Sequence, residues 1–121
     1  MAAGTLLASA ARTATTASED QTHGDYVGAH VIINVTAAGT STLTVTIQGK
    51  DPISGDYYTI LASAGLTTTG MTVLKVHPGI TAAANLSVSD ILPDTWRVSC
   101  AKGDASSWTY SVSISSRMRK G

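Results

Sequence analysis

The chain has 121 residues, and its eight basic and eight acidic side chains cancel to zero formal charge, with a pI near 6.8. That balance leaves no overall field to draw in nucleic acid or an anionic membrane, so the composition points to protein partners and away from those two classes. The length suits one domain with a modest core that needs neither disulfide nor metal, and Cys100, the only cysteine, can form no intrachain disulfide.

Charged residues make up 13% of the chain, and polarity is carried by Ser and Thr, which suit strands and hydroxyl-covered surfaces. A surface of this kind is tolerated in a protein packed against neighbours. No apolar run approaches the roughly 20 residues that span a bilayer. The small apolar start, Met1 to Ala11, has no basic segment before it, and Arg12 follows the run. The expectation is a soluble protein that is not exported.

In chain order, residues 1–24 are rich in Ala, Thr and Ser. Alanine favours a helix there, but Thr13, Thr15 and Thr16 oppose it, so the segment is predicted as an extended arm or edge strand. Having few large apolar anchors, it is expected to gain order from a neighbouring subunit. Residues 25–116 form the domain proper, and 117–121 form a basic tail, a solvated end or docking peg. From Tyr26 to Thr36, Val31, Ile33 and Val35 alternate with Ile32, Asn34 and Thr36, the period of a half-buried strand.

Ser41 to Ser63 reads as a β-hairpin: Leu43, Val45 and Ile47 alternate with Thr42, Thr44 and Thr46, a loop with Pro52 and Gly55 reverses the chain, and Tyr57 to Leu61 return. With the preceding strand this predicts a three-stranded meander. A noisier amphipathic strand runs from Met71 to His77 and ends at Pro78-Gly79. In the long connection that follows, Thr81 to Asn85 fit a helical turn and Leu86-Ser87-Val88 a short strand. Trp96, Val98 and Cys100 then alternate with Thr95, Arg97 and Ser99, and after a turn at Lys102 to Ser106 so do Trp108, Tyr110, Val112 and Ile114 with Thr109, Ser111, Ser113 and Ser115. These two are expected to make a second hairpin.

Hairpins with one-sided apolar faces bury them against one another. The predicted fold is therefore all-β, a single antiparallel β-sandwich or a small barrel. The expected core is Val31, Ile33, Val35, Leu43, Val45, Ile47, Ile60, Leu74, Val76, Trp96, Val98, Val112 and Ile114.

The residues name no catalytic, cofactor or metal site. His23, His30 and His77 lie in three segments without ligand spacing. There is no Gly-x-Ser-x-Gly elbow, and Cys100 on an inward face is a poor nucleophile because burial raises its pKa. Asp51 and Asp56 flank the hairpin loop, where acids beside Pro and Gly are ordinary turn chemistry. Trp96 and Trp108 would make a sugar-stacking platform if exposed; in phase with Val98 and Val112 they read as core. The candidate protein-contact residues are Thr5, Leu6 and Leu7 on the arm and Thr42, Thr44 and Thr46 on the hydroxyl face of the hairpin.

The segments Thr46-Ile47-Gln48-Gly49-Lys50-Asp51-Pro52, Ser54-Gly55 with Tyr57-Tyr58, Pro78-Gly79-Ile80-Thr81-Ala82-Ala83-Ala84-Asn85, Leu92-Pro93-Asp94-Thr95-Trp96-Arg97-Val98 and Ser107-Trp108-Thr109-Tyr110-Ser111-Val112 resemble a group of small proteins encoded by tailed bacteriophages and prophages. The likeness runs from about residue 5 to residue 115. It implies a virion structural protein without enzymatic activity, of the head decoration or cement type, bound to the major capsid protein on the capsid surface and assembled as a homo-oligomer such as a trimer. No functional residue is carried over from the group. A tail or neck component is the alternative within that setting. A carbohydrate-binding module for host attachment is the alternative from another class, and an enzyme is a distant third.

Overall fold

The computed structural model describes residues 2–22, 26–103 and 105–118, with side chains for 4–22, 28–103 and 105–115. His23, Asp104 and residues 119–121 of the expected tail lie outside them. The described residues form ten strands: β1 (Ala2–Arg12), β2 (Thr16–Ala17), β3 (Gln21–Thr22), β4 (Tyr26–Ala37), β5 (Leu43–Lys50), β6 (Tyr57–Ala62), β7 (Gly70–Val76), β8 (Ser87–Val88), β9 (Thr95–Lys102) and β10 (Trp108–Met118). They form two sheets, β1-β10-β4-β7-β8 (sheet A) and β2-β9-β5-β6 (sheet B), with β3 also on β9. All pairings are antiparallel except β7 with β8. The architecture is the predicted all-β sandwich.

The core lies between the sheets, where alternate residues of each central strand meet. Along β5 the alternation is complete: Leu43, Val45, Ile47 and Gly49 are buried, and Thr44, Thr46, Gln48 and Lys50 lie half-buried on the outer face. Trp96, Trp108, Tyr110, Ile33, Leu43, Ile47 and Leu74 are the bulkiest side chains among those removed from solvent. Of the expected core, Ile60 and Ile114 are the two exceptions, both half-buried. Ile60 is the extra residue of a bulge, because Ile47 pairs with Leu61 while Gln48 pairs with Thr59, so Leu61 takes the inward place. Ile114 keeps the inward phase, but its partner on β1 is Gly4, which has no side chain to cover it.

Three expectations are corrected. The meander does not form: β4 pairs with β10 and β7 in sheet A, while β5 and β6 lie in sheet B. The second hairpin does not form either, since β9 belongs to sheet B and β10 to sheet A. Both connections are arches that cross between sheets, tied together by Thr40 N donating to Ser106 Oγ at 3.1 Å and Gly103 N to Thr42 O at 3.3 Å. The β5–β6 hairpin does form. The physical reason is that a period of two fixes which face looks inward but not which neighbour supplies the hydrogen bonds. The third correction is that Thr81 to Asn85 make no helix; the chain turns there through Ala83 and Ser87, and Asn85 adopts φ 63°.

The N-terminal segment is also built into the fold. β1 lies antiparallel on β10, and β2 and β3 lie on β9, so residues 2–22 edge both sheets of their own chain. Between β2 and β3, Ser18 continues the ladder: its amide donates to Val98 O at 2.8 Å and its hydroxyl accepts from Val98 N at 3.0 Å. Arg117 and Met118 belong to β10, opposite Gly28 and Tyr26.

Candidate functional site

The outer face of sheet B has two halves of different chemistry. Residues directly opposite on neighbouring strands share a face, so the pairs Ala17–Ser99, Ser99–Thr46 and Thr46–Ala62 set one row of small uncharged side chains across β2, β9, β5 and β6. The adjoining pair Ala101–Thr44 extends it. No charged group interrupts this half, which is therefore flat and easily dehydrated.

The other half is a polar lattice. Arg97 donates through Nε to Gln48 Oε1 at 2.8 Å and stacks over the Tyr57 ring with its guanidinium carbon 3.6 Å from the centroid. Asp20, from the segment between β2 and β3, accepts from the Tyr57 hydroxyl at 2.7 Å and from Lys50 Nζ at 2.9 Å. The Tyr57 hydrogen bond, and then the Lys50 one, hold the Asp20 carboxyl below its ordinary range; the bond to Asp20 raises Lys50. Asp20 is exposed and the other groups are only half-buried, so the lattice positions side chains more than it stabilises the fold.

At one end of sheet A lies a cleft of about 610 Å³. It is lined by buried Gly28, by half-buried His77 and Ile80, by exposed His30 and Lys75, and by the β4 and β7 backbone at Ala29 and Val76. The register explains the polar side chains: His30 pairs with Ser115 on one side and Lys75 on the other, and Lys75 with Ser87, so hydroxyl, imidazole, ammonium and hydroxyl form a row. His77 Nδ1 lies 2.7 Å from the Pro78 carbonyl, which makes Nδ1 the protonated nitrogen. Gly28 is required there, since a Cβ would fall 2.5 Å from the Val76 carbonyl oxygen and 2.7 Å from His77 Cδ2.

The predicted contact residues separate into three kinds. Thr5 and Thr42 are exposed, and Thr44 and Thr46 lie on the small-residue face. Leu6 and Leu7 are half-buried and pack against the chain's own core, so intramolecular packing accounts for them. Both indoles are fully buried, which removes them from any exposed sugar platform. Gly39 gives the Trp108 ring its room, because a Cβ there would lie 2.5 Å from the indole nitrogen. Burial pushes the Cys100 thiol up to about 11. It also raises the Tyr110 hydroxyl, which lies against Cys100 and Thr16 without closing a hydrogen bond to either. The Asp51 carboxylate serves the loop as expected of a turn acid, and Asp56 joins it through its backbone amide and carbonyl. No group of three metal-ligating side chains occurs among the described residues, and no helix is long and apolar enough to cross a membrane.

The lattice and the cleft are what the residue patterns did not announce. Lys50 and Tyr57 close the hairpin loop and pair directly, a relation readable once the loop length is known. Asp20 and the Gly28 cleft depend on segments brought together from distant parts of the chain, and no local signal marks them. The fold is an all-β sandwich. No protein-family model, no curated protein and no solved structure matches the chain.

Proposed function

We propose that the protein is a non-enzymatic virion structural component of a tailed phage or prophage, which decorates the head and reinforces it by contact with the major capsid protein. The observation that carries this reading is the uncharged half of sheet B, where Ala17, Ser99, Thr46 and Ala62 cross four strands in one row. Small side chains lose little rotamer freedom and no charge on being covered, so such a face can lie on another protein at low cost. The resemblance of the sequence to phage-encoded proteins supplies the setting, and the neutral composition agrees with a partner that is protein. Many copies on a repeating lattice would sum individually weak contacts through multivalency. The burial of Trp96 and Trp108 tells against the carbohydrate-binding alternative, which needs exposed rings.

The test is imaging of intact particles at a resolution that traces this chain, with a parallel incorporation assay of Thr46→Arg and Ser99→Arg. Density on the outside of the head, and loss of incorporation by folded Arg variants, is the expected result. Density confined to the tail or neck would overturn the decoration reading and select the other virion role. Absence from particles altogether would overturn both.

A further inference from the structure

The loop between β5 and β6 is a preformed knob. The Asp51 carboxylate accepts from the Ile53 amide at 2.9 Å and from the Ser54 hydroxyl at 2.9 Å. The Asp51 amide donates to the Asp56 carbonyl at 2.8 Å, and its carbonyl accepts from the Gly55 amide at 2.9 Å, with Gly55 turning the chain at φ 81°. On this frame Ile53 stands 92% exposed. A loop already fixed in one shape loses little freedom on binding, so an apolar side chain at its tip is an effective anchor.

A complementary feature lies at the same end of the molecule. The β4–β5 and β9–β10 arches close one end of the sandwich, so the opposite end holds the knob together with the start of β4 and the end of β7, where the cleft is. The knob carries Asp51 and Asp56 on either side of Ile53. The cleft is mostly apolar, with Gly28 and Ile80 in its lining beside His30, Lys75 and His77, and no carboxylate lines it. An apolar tip between acids thus matches a mostly apolar cleft bordered by cationic and imidazole groups.

We infer that these are the two halves of one contact, in which Ile53 of one copy seats in the cleft of a second copy. The knob is on sheet B and the cleft on sheet A, at the same end. Copies standing side by side each give one contact and receive one, a head-to-tail arrangement that makes a ring where the rotation between copies closes. This deepens the decoration reading and rests on it for its setting. One loop covers less than the roughly 1,200 Å² of a stable interface, so the association is weak in free solution and is strengthened where copies are concentrated on a surface.

Sedimentation of the full chain from micromolar to millimolar concentration tests this. The wild type is expected to self-associate, and Ile53→Asp and Lys75→Glu each to weaken association by about tenfold or more. Asp56→Lys combined with Lys75→Glu should recover it. Mixing Ile53→Asp with Lys75→Glu chains should yield pairs that do not grow, since one supplies the intact cleft and the other the intact knob. Ile53 and Lys75 are exposed, and amide spectra of each variant establish that the fold is kept. A wild type that stays monomeric throughout, or a charge swap that recovers nothing, overturns the inference. Isolated monomers seen on the head would overturn the ring and spare the decoration role, whereas rings formed by a chain missing from particles would do the reverse.

Discussion

Arg12 decides whether the N-terminal strand is held by its own chain. Its guanidinium donates to Tyr110 O at 2.7 Å, to Ala10 O at 3.3 Å and to Ala8 O, and stands 4.7 Å from the centroid of the Tyr110 ring. The carbonyls it takes lie where β1 bulges between Leu7 and Ala10, so the charge satisfies groups that the irregular ladder leaves over. Arg12→Met keeps much of the apolar stem and removes the donors. A hydrogen bond from a charged donor contributes about 1.5 to 3 kcal/mol when buried and a cation–π contact about 0.5 to 1. Because Arg12 is half-buried and one of its bonds is long, about 2 kcal/mol is the reasonable sum. That is roughly a thirtyfold change in an equilibrium constant. Native-state hydrogen exchange on the isolated protein is the assay: protection of β1 amides should fall about thirtyfold in the variant while β5 and β9 keep theirs. Arg12→Lys should restore only part, since an ammonium lacks the planar fork. The reasoning is refuted if β1 amides are already unprotected in the wild type, which would mean that order comes from a neighbour, or if Arg12→Met lowers protection equally in every strand.

The bulge in β6 predicts unequal neighbours: Leu61→Ala should cost about 2 to 4 kcal/mol in urea unfolding and Ile60→Ala clearly less, and equal losses would contradict the assigned register. The Cys100 thiol, raised to about 11 by burial, should resist a thiol-specific chromogenic reagent at pH 8 in the folded protein and react at once in urea. Asp51 is held below its ordinary carboxyl range, first by the Ile53 amide and then by the Ser54 hydroxyl. Its folded-state pKa is thus depressed, so its contribution to stability is present above the unfolded value of about 3.9 and is lost as pH falls through the folded one. Asp51→Asn should therefore lower Tm near neutral pH, with the difference shrinking as pH falls below the unfolded carboxyl value and through the depressed folded one.

What the residues disclosed was direction, and what they withheld was partnership. Val31, Ile33, Leu43, Val45, Trp96 and Val98 all look inward as their alternation requires. Yet β4 and β5 alternate equally well whether they pair with each other or face each other across the core, and the connection between them makes an arch as readily as a hairpin. The β6 bulge was hidden because Ile60 and Leu61 are both apolar, and only the ladder chooses between them. Thr44 and Thr46 were legible as an outward stripe. The row they belong to was not, because Ala17, Ser99 and Ala62 join it only through strand order. His30 and His77 could be counted in the sequence, but their convergence on one cleft depends on Gly28 letting β4 and β7 close together.

Strand order also bears on how copies can meet. An open strand edge invites pairing with another chain, and folded proteins close such edges with bulges, charges or short strands. Here β1 has two register shifts and a guanidinium on its carbonyls, and β8 is two residues long. β2 and β3 are separate two-residue pieces joined through Ser18. β6 is bulged at Ile60, and its Ala62 carbonyl accepts from Asn85 Nδ2 at 3.1 Å. Each outermost strand thus carries a device against sheet extension. On the proposed decoration role, contact would therefore run through side chains, on the small-residue face of sheet B and the Ile53 knob, and not through strand addition. Those surfaces can be covered without altering a backbone ladder, so binding there would leave the fold of each copy unchanged.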